Sequence, residues 1–297
     1  LAYGGKIITA TRSQLNLGNL SEVKNFFKEN KPTIVILAAA KVGGIYANST
    51  KPADFLLQNL KIQTNVIETS WQMGVRRFLF LGSSCIYPKN SEQPIKETSL
   101  LQSPLESTNE WYAIAKISGL KLCQSLKIQY GFDAISLMPT NLYGSGDNYN
   151  PNGSHVLPAL IWKFYNAKKN NSRNVTCWGS GNPLREFLYV DDLADACIFA
   201  LQNWFPEINH TKNINWINVG SKYEISIREL AEKIADYLDF KGNIIWDKTK
   251  PDGTFRKKLD TSNLYKLGWE SSTNLDDGIR KTYQYFLDDL NSGKLRT

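Results

Sequence analysis

Residues 78–88 read FLFLGSSCIYP, and residues 109–123 read NEWYAIAKISGLKLC. The first is a short apolar run halted by Gly82-Ser83-Ser84, which predicts a buried parallel strand, Arg77 to Ser83, ending in a turn. The second predicts a helix from Asn109 to Gly131, on which Tyr112 and Lys116 share one face. A buried strand followed by a long helix and another apolar run, Ala134 to Leu142, is the rhythm of an α/β sheet covered on both sides.

These parts also suggest a chemistry. A lysine on the turn after a tyrosine can lie beneath the phenol and favour its ionised form. A serine at the end of the neighbouring strand can hydrogen-bond the same substrate carbonyl. Together they can protonate an alkoxide as hydride arrives from a nicotinamide. The Tyr-x-x-x-Lys spacing alone is weak, because Tyr165/Lys169 and Tyr237/Lys241 repeat it. Each of those reads as an exposed helix face with a solvated lysine. Only Tyr112/Lys116 follows a strand that ends in Gly-Ser-Ser.

Outward from this unit the alternation continues. Lys6 to Thr11 and Thr33 to Ala39 read as strands, and Ser21 to Asn30 as a helix capped by Ser21. Pro52 to Gly74 reads as a long helix with proline in its first turn and glycine at its end. After Tyr143 the texture changes: GSGDNYNPNGSH (144–155) is a Gly-, Asn- and Pro-rich loop of functional type. A helix from Ser154 to Lys169 and a strand from Val175 to Trp178 follow. Phe187 to Val190 and Trp216 to Val219 read as returns to the main sheet, joined by a helix from Asp191. Helices over 226–240 and 275–287 complete a smaller lobe. The expected fold is a Rossmann-like doubly wound parallel sheet with a smaller C-terminal α/β substrate lobe. Residues 1–142 plus about 186–222 form the cofactor-binding domain, and about 143–185 plus 223–297 form the substrate-binding lobe.

No Gly-x-Gly-x-x-Gly follows a strand in this chain, although such a turn normally holds a dinucleotide pyrophosphate. Leu1 to Tyr3 reads as the tail of a helix. One expectation is therefore that a first strand and glycine turn, about 25 residues by typical βα dimensions, lie upstream. The other is a relative that has lost cofactor binding.

Composition narrows the class. The 297 residues, 42% hydrophobic and 21% charged, suit a globular protein with an ample core. Apolar runs are too short to span a bilayer, and no basic-apolar leader opens the chain, so the cytoplasm is the expected compartment. Cys85, Cys123, Cys177 and Cys197 form no CxxC pair, and His155 and His210 are the two histidines. A metal site or a disulfide framework is not expected. Cys123, Cys177 and Cys197 read as small buried hydrophobes. The net charge of +7 is scattered rather than striped. That argues against nucleic acid and suits either a polyanionic small molecule or a merely basic surface.

The assembled motifs resemble the extended short-chain dehydrogenase/reductases. Within them they are similar to the 3,5-epimerase/4-reductases of GDP-4-keto-6-deoxy-D-mannose. The stretches that carry the likeness are AAAKVGGIYAN (38–48), FLGSSCIYP (80–88), EWYAIAKISGLKLC (110–123), MPTNLYG (138–144), SHVLPALI (154–161), REFLYVDD (185–192) and KPDGTFRK (250–257). The resemblance implies Ser83, Tyr112 and Lys116 as the reductase triad, with NADPH as hydride source. It implies Cys85 and His155 as the base and acid of C3/C5 epimerisation, a pairing that suits groups titrating near neutral pH. Alone, His155 reads as a helix-capping or surface residue.

The same likeness places Arg12 and Leu17 (in RSQLNL), Leu81, Gly82, Ser83, Ser84, Tyr112, Lys116, Pro139, Thr140, Asn141, Leu142 and His155 around the cofactor. Thr11-Arg12-Ser13 offers no carboxylate to a ribose 2′-hydroxyl, and arginine can fork a 2′-phosphate, so NADPH is expected over NADH. For the GDP-sugar it implies Trp178 and Arg185, with Asn109, Asn141, Val156 and Asp252 beside them. Arginine suits a pyrophosphate, and tryptophan offers a stacking face. Lys163 stands where the family often has arginine, which keeps the charge and loses the fork. Homodimers are the family's assembly.

Two readings compete with the epimerase/reductase. One is another nucleotide-sugar epimerase, reductase or dehydratase on the same scaffold. Dehydratases place an acidic residue after the triad serine, where this chain has Ser84-Cys85. The other is a non-catalytic relative, for which the missing glycine turn is the motive.

Overall fold

The structure is a computed structural model describing residues 5–150, 153–207, 214–250 and 252–297. Residues 1–3, read above as a helix tail, and His210 lie outside the described residues. Along the chain, α1 (Leu20–Asn30) leads to β1 (Ile34–Leu37), and α2 (Ile45–Thr50) abuts α3 (Pro52–Gln72). Then come β2 (Arg77–Leu81), α4 (Glu110–Tyr130), β3 (Ala134–Pro139) and β4 (Asn141–Tyr143). The next elements are α5 (Val156–Lys169), β5 (Asn174–Trp178), β6 (Leu184–Tyr189) and α6 (Val190–Asn203). The chain closes with β7 (Trp216–Val219), β8 (Glu224–Ser226), α7 (Ile227–Tyr237), β9 (Asn243–Asp247), β10 (Arg256–Lys257), α8 (Ser262–Lys266) and α9 (Leu275–Asn291).

The main sheet has the order β1-β2-β3-β7 and is parallel throughout. On β2, β3 and β7 both faces are buried, as expected for crossover-connected strands, whereas Ile36 on the edge strand β1 is exposed. On β2 the alternation is explicit. Phe78 and Phe80 pack with Val66 and Ile67 of α3 and Leu120 of α4. Leu79 faces the other way, into Leu193 and Ala196 of α6 and Leu264 of α8. Gly119 lets α4 approach β2, since a Cβ there would sit 2.6 Å from the Phe80 ring.

Several expectations change. Residues 6–10 form no strand: they make no ladder with β1, and Ile7 is exposed, so the apolar pattern finds neither partner nor core. The cap of α1 is Asn19, whose side chain accepts from the Ser21 and Glu22 backbone, and not Ser21. The run Ala134 to Leu142 is two strands. Thr140 breaks it, donating its backbone N–H to Val219 and its hydroxyl to the Glu186 carbonyl. Beyond that break β4 leaves the main sheet and pairs with β6, which also pairs with β8 and β10. The segment read as 187–190 therefore belongs to this second sheet, while β7 does return to the main one. A third pairing joins β5 and β9. These two small sheets pack with α5, α7 and α9 around a separate core that includes Leu157, Phe164, Ile234 and Phe286. Among the described residues no helix is long and apolar enough to cross a membrane.

Candidate active site

The carboxyl ends of β2 and β3 open into a cleft of about 600 Å³, the position at which open α/β sheets receive ligands. The Gly82 N–H donates to Leu137 O at 2.9 Å, which aligns the two strand ends. Ser83 then turns the chain: its hydroxyl accepts the Cys85 N–H at 3.2 Å and caps a single 3-10 turn over Ser84–Ile86. That turn directs Cys85 into the cleft wall. From α4, Tyr112 reaches the same wall as Ser83.

Lys116 behaves differently from the sequence-based expectation. Its ammonium donates to Leu81 O at 2.7 Å and lies 4.8 Å from the Phe80 ring and 5.9 Å from the Tyr112 ring. It is 3% exposed, and burial pulls it down to about 8. The Tyr112 phenol is not tuned toward ionisation. Burial pushes it up and the neighbouring Cys85 adds to this, while the Ser83 side chain opposes them. Tyr112 is thus a protonated donor, with its lysine fixed to the strand end.

Cys85 is set apart from the other cysteines. Cys123, Cys177 and Cys197 are buried, and burial raises each. Burial would raise Cys85 too, but the Lys257 charge, hydrogen bonds from Ser83 and Lys257, and the Arg185 charge outweigh it and hold the thiol below its ordinary value. Asn109 Nδ2 and Lys257 Nζ approach the sulfur at 3.3 and 3.4 Å. Lys257 arrives by sheet register: β10 runs beside β6, pairing Lys257 with Arg185. Backbone bonds Ile95 N to Lys258 O and Asp260 N to Ile95 O tie this strand to the segment that follows Cys85.

His155 occupies the N-cap position of α5 without capping it through its side chain, and it lines the same cleft. Its loop is held by close backbone packing. Gly44 N–H donates to Gly153 O at 3.1 Å, and a Cβ on Gly44 would sit 2.7 Å from Ser154 O. Burial lowers the imidazole, and the Lys257 charge lowers it further.

Of the sequence-expected residues, Gly82, Ser83, Ser84, Cys85, Asn109, Tyr112, Pro139, Thr140, Asn141, Leu142, His155, Val156, Lys163, Trp178, Arg185 and Asp252 line one cleft. Arg12, Leu17, Leu81 and Lys116 do not. Leu17 packs against the core near α1, and Arg12 is exposed with no ion pair among the described residues. Lys163 donates to Thr176 O and flanks Trp178, which Lys250 flanks as well. The carboxylate of Asp252 binds Ser180 N and Oγ at 2.7 and 2.8 Å, holding the 179–182 turn. Both glycines of that turn have left-handed φ, +77° and +80°.

Sequence reasoning missed Lys257, Glu106, Thr254 and the Val42–Gly44 wall with Tyr46. The adjacent glycines 43 and 44 were a usable signal of close backbone approach. A lysine far from Cys85 in the chain gave none. Among the described residues no cluster of side chains could hold a metal ion.

Comparison with known proteins agrees with this geometry. The model of the NAD dependent epimerase/dehydratase family matches residues 3–215. "Putative GDP-L-fucose synthase 2" of Arabidopsis thaliana is 55% identical over 284 residues, 96% of this chain and 84% of that protein. A GDP-6-OMe-4-keto-L-xylo-heptose reductase from C. jejuni superposes with a TM-score of 0.89 at 34% identity, covering 96% of this chain and 91% of that one. A GDP-L-fucose synthetase from Naegleria fowleri bound to NADP gives 0.87 at 29% identity, covering 99% and 88%. The chain belongs to the NAD-dependent epimerase/dehydratase family and, within it, to the group of the GDP-L-fucose synthases.

Proposed function

We propose that this chain converts GDP-4-keto-6-deoxy-D-mannose to GDP-L-fucose, inverting C3 and C5 and then reducing the C4 ketone with NADPH. The observation that carries the reading is one wall bearing two chemistries: Ser83 and Tyr112 for reduction, Cys85 for inversion, with His155 on the same cleft.

The ketone acidifies the protons on C3 and C5. Cys85, held toward its thiolate beside Lys257, removes a proton from one face, and the imidazolium of His155 returns one to the other. Ser83 donates a hydrogen bond to the C4 oxygen and stabilises the enolate and later the alkoxide. Tyr112, kept protonated, gives its proton to that alkoxide. NADPH, when bound, supplies the hydride. The donor set fits such a group: two parallel strand ends, Gly82–Ser84 and Pro139–Leu142, border the cleft, and the exposed Arg12, outside it, forms no ion pair among the described residues. Lys163, Trp178 and Arg185 are the cations and the aromatic face for the GDP moiety.

In this reading residues 1–142 with about 186–222 serve the cofactor, and about 143–185 with 223–297 serve the nucleotide-sugar. The separate apolar core around α5 and α7 supports that division. The working form is a cytoplasmic homodimer joined through α3 and α4, whose Leu57 and Trp111 remain exposed.

The test is turnover in D2O with GDP-4-keto-6-deoxy-D-mannose and NADPH. The expected product is GDP-L-fucose carrying solvent deuterium at C3 and C5, with one NADPH oxidised per product. NADPH oxidation without deuterium at those carbons would make the chain a plain C4 reductase, the activity named for the C. jejuni protein.

A further inference from the structure

Behind Cys85 lies a second cavity of about 20 Å³, enough for one water. Cys85, Glu106, Asn109, Thr254 and Lys257 line both it and the main cleft, and Lys89 and Tyr87 help to close its far side. The polar atoms around it suit a water. The Oδ1 of Asn109 is buried and accepts no hydrogen bond among the described residues, although Nδ2 of the same amide donates to the Cys85 sulfur. Lys257 brings donors, Glu106 brings a carboxylate, and Thr254 brings a hydroxyl. Glu106 in turn pairs with Lys89 at 3.0 Å, and Lys89 is 46% exposed, so this ion pair runs from the cavity wall to the surface.

Two successive inversions create a need for such a connection. In the first, a substrate C–H bond breaks and an S–H bond forms on Cys85, with the electron pair passing to the C4 oxygen. An N–H bond of the His155 imidazolium then breaks as C–H forms on the opposite face. One inversion therefore leaves a neutral imidazole and a protonated thiol. Before the second, the thiol must lose its proton and His155 must gain one. His155 lines the open main cleft and can recharge from it. Cys85 is half-buried, with the substrate expected on its cleft side.

We infer that the small cavity is a proton port: a water held by Asn109, Lys257 and Glu106 takes the thiol proton and releases it past Glu106 and Lys89, resetting Cys85 between the inversions. Atoms and charge balance, since S–H breaks, a hydronium forms transiently, Glu106 carries the proton in transit, and bulk water receives it. Lys257 stays an ammonium throughout and stabilises the thiolate left behind. This inference rests on the epimerase reading above, and the experiment separates the two.

The test is single turnover in D2O with enzyme in excess over GDP-4-keto-6-deoxy-D-mannose and no NADPH. Samples are quenched into borohydride and read by mass spectrometry as singly and doubly deuterated sugar. The parent protein is expected to pass quickly to the doubly labelled form. Glu106→Gln removes the carrier, and Thr254→Val removes one hydroxyl from the cavity wall while keeping every charge. In each, singly labelled sugar is expected to accumulate, with the ratio of second to first exchange rates falling at least about tenfold. A merely structural role would slow both exchanges alike and leave the ratio unmoved. An unchanged ratio in either variant overturns the port. Absence of any label in the parent overturns the epimerase reading instead.

Discussion

The ammonium of Lys116 donates to the carbonyl oxygen of Leu81 at 2.7 Å, joining the catalytic face of α4 to the last residue of β2. This bond ties the helix that carries Tyr112 to the strand end that leads into Ser83, and the Lys116 end of it is buried. Lys116→Met keeps the buried volume and removes the link. Reduction of the C4 ketone is expected to fall about 10²-fold, within the range for a displaced proton donor. C3/C5 deuterium exchange should persist at near the parent rate. Both rates measured on one preparation check this, and an equal fall would assign Lys116 to the shape of the whole cleft.

The charge of Lys257 acts on Cys85 from 3.4 Å. Removing it by Lys257→Met leaves burial, which raises the thiol, with less to oppose it. Exchange requires the thiolate, so its acid limb tracks the thiol. That limb is expected to move to higher pH. The pH profile of deuterium incorporation measures it directly, and an unmoved limb contradicts the assignment.

Asp252 holds Ser180 through both carboxylate oxygens, and Arg228 Nη2 donates to Ser180 O at 2.7 Å on the other side of the turn. The turn leads from Trp178 to Arg185. Asp252→Ala is expected to raise KM for the GDP-sugar about tenfold, about 1.4 kcal/mol, with kcat nearly unchanged. A fall in kcat with KM fixed would instead give Asp252 a part in the chemical step.

Glu186 supplies a stability prediction that is independent of activity. It is fully buried, Oε2 accepts the Leu259 N–H at 3.1 Å, and Oε1 has no partner among the described residues. Burial raises it to about 8, against hydrogen bonds from Leu259 and Thr140 that lower it. A carboxyl raised on folding contributes stability that is complete below its unfolded value near 4.5 and is lost as pH rises through about 8. Glu186→Gln removes that dependence. The variant should match the parent near pH 4–5 and exceed it by on the order of a few kcal/mol above pH 8. Tm measured across this range checks the sign, and a parent gaining stability over the same interval would refute it.

Much of the main sheet was legible because β2, β3 and β7 carry apolar residues on both faces and are bounded by turns. The site was legible where residues close in sequence are also close in space: Gly82 to Cys85 on one strand end, Tyr112 and Lys116 on one helix face. Three features were not. The switch of sheets at Thr140 lies inside a stretch, Ala134 to Leu142, that reads as one strand, and the hydrogen bonds to Val219 and Glu186 reveal it. The reading of Lys6 to Thr11 as a strand followed local propensity, which decides nothing without a neighbouring strand. Lys257 reaches Cys85 through the pairing of β10 with β6, a long-range register that composition and spacing do not encode.

The claim that one cleft holds two separable proton chemistries is tested most directly by Cys85→Ser and Tyr112→Phe, with deuterium incorporation and NADPH oxidation followed in the same reaction. Cys85→Ser is expected to lose C3/C5 exchange by at least about 10²-fold and still reduce a pre-epimerised keto sugar. Tyr112→Phe should exchange both positions and fail to reduce. Equal loss of both steps in each variant would contradict the account.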